Sequence, residues 1–226
     1  MSYILSHEEQ LPKKITWFSR RSNFLPLDDI AFTNELFTPD YVKHFHKLET
    51  NKKLKLLQEQ KTAIDGVSCD TLLNLYEKLY ELQYVQGMSD LFSLLPGHEV
   101  NTIEKNKNES FQLSAKSIFT SEEISLEADI VILCTGYETP EFNFFNRLQT
   151  MFHAKDNALV IHNDYRLSWE GQDNNSIFIL NGARHTHGVS DATFSISAWR
   201  SATIINQLSE ETIYPNINYG GLITWR

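Results

Sequence analysis

The sequence is poor in the residues that usually announce a function. Two cysteines, Cys69 and Cys134, cannot make a dense disulfide framework. A reducing, cytoplasmic compartment is the simplest expectation. Glycine is scarce, and the nine that occur, at positions 66, 87, 97, 136, 171, 182, 188, 220 and 221, build neither a G-x-G-x-x-G nor a P-loop. H-E-x-x-H, C-x-x-C and G-x-S-x-G are also absent. No apolar run approaches the ~18 residues of a membrane span. The opening MSYILSHEEQLPKK is too short and too acidic for a secretory signal. A net charge of -9 argues against electrostatic binding to nucleic acid.

What remains is an ordinary globular composition, 41% hydrophobic and 22% charged, over 226 residues, enough for one large domain or two modest ones. Ser2 to Gln10 has helical composition over about two turns. Lys14-Ile-Thr-Trp-Phe-Ser19 reads as a buried strand ending in the polar run Arg20-Arg-Ser-Asn23. Pro39 and Asp40 mark a helix start, and Tyr41 to Leu48 and Lys52 to Gln60 read as two helices. Cys69 to Gln86 is the clearest helix, its leucines and tyrosines forming one wide apolar face.

The period then changes. Glu109 to Ser117 alternates as a half-buried strand does, with short strands expected at Val100 to Lys105 and Ile124 to Ala128. Asp129-Ile-Val-Ile-Leu-Cys134 reads as a strand buried on both faces, ending in Thr135-Gly136-Tyr137. Beyond Glu141 a new unit is expected. It holds a helix at Asn143 to Met151, short strands at Leu159 to His162 and Ile177 to Leu180, a turn near Gly182 and Gly188, and a last helix at Ala192 to Leu208.

Two features bear on chemistry. In a doubly wound dinucleotide fold, arginine at the end of the second strand suits the 2′-phosphate of NADP, as an acidic residue suits the 2′-OH of NAD. Ser19-Arg20-Arg21 has the arginine form, although an Arg-Arg at a strand end is more often a solvated turn. A buried strand ending in Thr135-Gly136 lets backbone approach a flat cofactor closely, and it also fits a simple strand and turn. Of the pairs His44/His46 and His185/His187, the first is poor geometry for chelation, since an i, i+2 pair on a helix points two ways, and ordinary surface or hydrogen-bonded histidines are expected at both.

Three segments together resemble one family. ITWFSRRSNFLPLDDIAFTNELFTPDYV (15 to 42), DIVILCTGYE (129 to 138) and NGARHTHGVSDATFSISAWRSATIIN (181 to 206) resemble, in order, the flavin-dependent N-hydroxylating monooxygenases, the lysine and ornithine N-monooxygenases of siderophore biosynthesis. The wording is nearer the lysine branch. The resemblance implies an α/β chain forming the C-terminal portion of a two-dinucleotide flavoprotein, with an NADPH domain inserted in an FAD domain. Both glycine-rich loops are missing from it. Residues 1–140 would be the later part of the NADPH domain, with a helical excursion at 39–86. Residues 141–226 would return to the FAD and substrate domain.

The implied cofactors are FAD and NADPH, with O2 and a small primary amine as substrates. The chemistry is carried by the flavin rather than by a catalytic side chain, and the protein positions and shields. By the resemblance Arg20 grips the NADPH phosphate. Asn34 and Ser195 contact the amine substrate. Thr193 and Phe194 lie at the flavin edge, and Thr135 and Gly136 lie where the nucleotide domains join. The implied partners are the missing N-terminal half of the enzyme and other copies of the chain in a homo-oligomer. The missing half should leave exposed apolar surface behind.

The sequence also departs from the pattern. Ser190-Asp-Ala-Thr-Phe-Ser195 stands where lysine-type relatives read Ala-Asp-Pro-Asn-Leu-Ser, and Cys134 replaces an alanine. A remnant or interaction module that binds no flavin, and a self-contained NADPH-binding module, are the other readings.

Overall fold

The computed structural model describes residues 1–7, 11–136, 147–156, 158–171, 175–209, 211–215 and 221–226. In chain order the helices are α1 (Ser2–Leu5), α2 (Ala31–Asn34), α3 (Pro39–Lys47), α4 (Thr50–Glu59), α5 (Cys69–Tyr80), α6 (Arg184–His187) and α7 (Ser197–Ser209). The strands are β1 (Ile15–Ser19), β2 (Phe92–Pro96), β3 (His98–Lys105), β4 (Phe111–Ser117), β5 (Glu123–Ala128), β6 (Ala154–Lys155) and β7 (Ala158–Leu159). The chain forms two compact units that do not follow its linear order. One is Met1–Leu27 with Gly66–Gly136, and the other is Asp28–Asp65 with Tyr137–Arg226. The helices expected as one excursion are therefore shared between both units.

In the first unit β1 and β2 pair in parallel, Ile15 opposite Phe92 and Ser19 opposite Pro96. A parallel pair requires a crossover, and α5 lies within it. Ser68 starts α5 by accepting the Thr71 amide at 3.3 Å, a side-chain N-cap. The helix buries Leu75 and Leu79, with Leu82 in the following π turn, against Leu5 and the half-buried Trp17 and Leu94. The strands β3, β4 and β5 form an antiparallel sheet in sequence order. In β4 the alternating Leu113, Ala115 and Ser117 are buried, as its period requires.

The apolar run 129–134 corrects the sequence expectation. It is not a strand, and Ile130, Ile132 and Leu133 are 78%, 69% and 67% exposed. A run apolar on both faces is buried only when neighbours cover both, and among the described residues no strand pairs with it.

In the second unit α3 is capped by Thr38, whose Oγ1 accepts the Tyr41 amide at 3.4 Å, and Pro39 opens the helix. Val42 packs into a core of Ile161, Tyr165, Leu167, Ile179, Ala183, Ile196 and Trp199. Here too the expected strands are shortened. β6 and β7 form a two-residue hairpin, and Ile161 and Phe178 make isolated bridges to Leu167 and Arg166. The expected helix at Asn143 to Met151 lies partly outside the described residues, and Gln149–Met151 is a 3-10 turn. The last helix begins at Ser197 rather than Ala192, because Thr193 is extended at φ -96 and ψ 149.

Candidate functional site

Four of the residues singled out from the sequence belong to the second unit. Asn34 ends α2, is exposed, and donates from Nδ2 to the Asp29 carbonyl at 3.4 Å. The 3-10 turn Glu35–Phe37 follows, and the Leu36 carbonyl accepts a hydrogen bond from the fully buried Ser190 hydroxyl. This bond joins residues 154 positions apart. It ties the Asn34 segment to the turn that carries Thr193, Phe194 and Ser195.

The turn itself is well specified. The Thr193 hydroxyl donates to the Ser190 carbonyl at 2.9 Å, and the Ser195 hydroxyl lies 3.1 Å from that of Thr193. Phe194 is 93% exposed, and Ser195 is exposed beside it. Asp191 is fully buried. Its Oδ2 accepts the Ala183 amide at 2.8 Å, and burial raises its carboxyl above the ordinary aspartate value. Arg200 from α7 reaches back to the Asp191 and Thr193 carbonyls. Sequence reasoning missed Ser190, Asp191 and Arg200. A signal existed: Arg200 is a charge on the helix face that carries Ile196 and Trp199.

Beneath this turn His187 stacks on Tyr165 with ring centroids 4.1 Å apart and lies 5.3 Å from the His46 ring. Its ring Nδ1 is 2.8 Å from Thr186 Oγ1, and burial pulls its pKa down to about 3. His46 Nε2 meets the Ile161 carbonyl at 3.0 Å, and His185 Nε2 meets the Leu159 carbonyl at 2.8 Å. These histidines are tied into the fold, and no group of three metal-ligating side chains occurs among the described residues.

The other three residues lie in the first unit. Arg20 follows β1, with its guanidinium 3.8 Å from Glu99 and 73% exposed. Thr135 and Gly136 are exposed. Gly136 has φ +84, a conformation that L side chains rarely adopt, and a Cβ built there would meet nothing within 4 Å.

The first unit carries an exposed arginine after a parallel-paired strand, and the second carries a hydroxyl-bearing turn tied to the segment that follows Asn34, within a mixed α/β fold. Comparison with known proteins narrows the reading. The sequence is 35% identical over 214 residues to L-lysine N6-monooxygenase of Escherichia coli, covering 94% of this chain and 50% of that protein. A cadaverine monooxygenase of Erwinia amylovora, solved bound to FAD, shares the fold with a TM-score of 0.86 at 20% identity, over 100% of this chain and 51% of that one. An ornithine N-hydroxylase of Kutzneria sp. 744, solved with reduced FAD, NADP+ and L-ornithine, gives a TM-score of 0.79 at 18% identity, over 91% and 49%. The profile of the L-lysine 6-monooxygenase/L-ornithine 5-monooxygenase family matches residues 1–139. The chain belongs to this family. It spans about half the length of the curated relatives it matches. No helix among the described residues is long and apolar enough to cross a membrane.

Proposed function

We propose that the chain is the C-terminal portion of an NADPH- and FAD-dependent monooxygenase that N-hydroxylates the terminal amine of lysine or a similar primary amine for siderophore biosynthesis. Family membership supports the reaction class. The structural observation that carries the reading is the Ser190–Leu36 hydrogen bond, which holds the Asn34 segment and the Thr193–Ser195 turn in one unit.

The residues present fit a flavin and an amine. Phe194 offers a nearly bare aromatic surface to a flat ring system, and the Thr193 and Ser195 hydroxyls supply polar edges beside it. FAD, reduced by NADPH, supplies oxygen activation when bound. The chain's own task is positioning. Ser195 and Asn34 donate to or accept from the substrate's amine and head group. The exposed Arg20 guanidinium takes the NADPH phosphate by charge-assisted bonds. The weak surface pair with Glu99 costs little to exchange.

The exposed Ile130, Ile132 and Leu133 supply the apolar surface expected to receive the other half of the enzyme. The test is the visible absorption spectrum of the chain, purified alone and after co-expression with the N-terminal half of a family member. Flavin colour only in the second sample, followed by amine-dependent hydroxylamine formation, is the expected result. Folded protein without flavin in both samples would overturn the reading in favour of a remnant or binding module.

A further inference from the structure

Arg200 is the fourth residue of α7 and is 6% exposed. An arginine so buried must have its donors matched. One Nη donates to Asn181 Oδ1 at 3.1 Å and to the Asp191 carbonyl. The other donates to the Thr193 carbonyl at 2.8 Å and to Ser197 Oγ at 3.5 Å. Its Nε has no partner among the described residues, and neither do Tyr165 Oη and Asp191 Oδ1, all three buried. Both Asp191 and Arg200 act electrostatically on the Tyr165 phenol.

The backbone shows what this guanidinium does. In a continuous helix the Asp191 and Thr193 carbonyls would accept amides four residues on. Here one cation takes both. Thr193 is extended, Phe194 turns outward, and α7 begins only after the Ser197 amide has found the Phe194 carbonyl at 3.0 Å.

We propose that Arg200 is the positioning residue of the Thr193–Ser195 turn: its guanidinium draws the Asp191 and Thr193 carbonyls inward and so aims Phe194 and the Ser195 hydroxyl outward at the ligands. That the ligands are flavin and amine rests on the N-hydroxylase reading above; the positioning itself does not. Lysine cannot replace it, because one ammonium lacks the planar fork that spans both carbonyls.

The experiment uses the full chain, isotope-labelled for NMR. In the wild type, a guanidinium held at both Nη atoms gives resolved, slowly exchanging Nη protons for Arg200. In Arg200→Lys, the Thr193 and Ser197 amides, bonded within the turn, should exchange at least tenfold faster, while Tyr165 and Ile179 keep their protection. Methylguanidinium added to Arg200→Ala should restore slow exchange at Thr193. Averaged Nη signals in the wild type overturn the proposal even if the variants fail to fold. Unchanged exchange at Thr193 and Ser197 in folded Arg200→Lys does so as well. In the assembly completed by an N-terminal half, Arg200→Lys should raise KM for the amine at least tenfold and leave KM for NADPH within twofold; equal rises overturn the aiming role. A wild-type assembly that binds no flavin would count against the N-hydroxylase reading and leave the exchange result standing.

Discussion

Gly188 links α6 to the 3-10 turn at Val189–Ala192, and Gly188→Ala is a severe test of how that turn is made. Its backbone sits at φ 79 and ψ -165, a region open essentially to glycine alone. Forcing another residue there costs about 1–3 kcal/mol. The new methyl would also lie 3.2 Å from Phe45 Cγ and 3.4 Å from both Cδ atoms. Phe45 is fully buried, with the Tyr41 ring 5.9 Å away and Lys53 Nζ 6.0 Å from its centroid, so it has little room to yield. Crowding of that kind costs about 1–3 kcal/mol. Against this, alanine stiffens the unfolded chain and returns about 0.4–1 kcal/mol. The expected loss is about 1–5 kcal/mol. With a urea m-value of about 1–3 kcal/mol/M, the unfolding midpoint of the second unit should fall by at least about 0.3 M, and by about 1.5 M at mid-range values. Tryptophan fluorescence follows this unit, since Trp169, Trp199 and Trp225 lie in it and only Trp17 does not. Adding Phe45→Leu should recover the crowding share and leave the backbone share. A midpoint for Gly188→Ala within about 0.2 M of wild type would refute the reasoning.

The remaining predictions concern protons and ligands. Below its ordinary value of 6.5, His187 is protonated in the unfolded chain but stays neutral in the fold down to about 3, so stability falls as pH falls through that window. At about 1.4 kcal/mol per pH unit, the loss reaches about 2 kcal/mol at pH 5. The raised Asp191 carboxyl works with the opposite sign, because the folded chain holds its proton at a pH where the unfolded chain has lost it. The diagnostic is therefore the difference between wild type and His187→Phe in urea titrations at pH 7 and 5, and identical slopes would rule out the histidine. Arg20→Ala should change stability by less than about 0.5 kcal/mol, since its ion pair with Glu99 is exposed, yet raise KM for NADPH by about 10–100-fold in the completed enzyme. An unchanged NADPH KM would remove Arg20 from the cofactor site. Asn34→Ala should instead raise the amine KM alone, and a parallel rise for NADPH would argue for a structural role.

The helices were legible because their signals are local. Thr38-Pro39 and Ser68 cap helices where the sequence places starts, and α5 runs along its apolar period from Cys69. The alternation of β4 was equally plain, since Leu113 and Ala115 face the interior two residues apart. Run 129–134 misled because an apolar stretch reports the demand for neighbours, and not whether they are supplied. The late start of α7 was hidden for a different reason. Thr193 and Phe194 fit a helical pattern, and what breaks it is a side chain seven residues beyond Thr193 competing for its carbonyl. At the candidate site the sequence named the exposed groups Asn34, Phe194 and Ser195. The buried Ser190 and Asp191 that hold them were silent, since a single serine or aspartate carries no periodicity.

The division of the second unit into Asp28–Asp65 and Tyr137–Arg226 has a consequence for synthesis. Helix α3 leaves the ribosome with Tyr41, Val42 and Phe45 bare, while a partner such as Ile161, bonded to His46 across 115 residues, is yet to be made. At translation rates of about 5–20 residues per second, that face waits on the order of ten seconds for its core. Nascent chains of this protein are thus natural clients for co-translational chaperones, with the demand falling in the interval after α4 emerges.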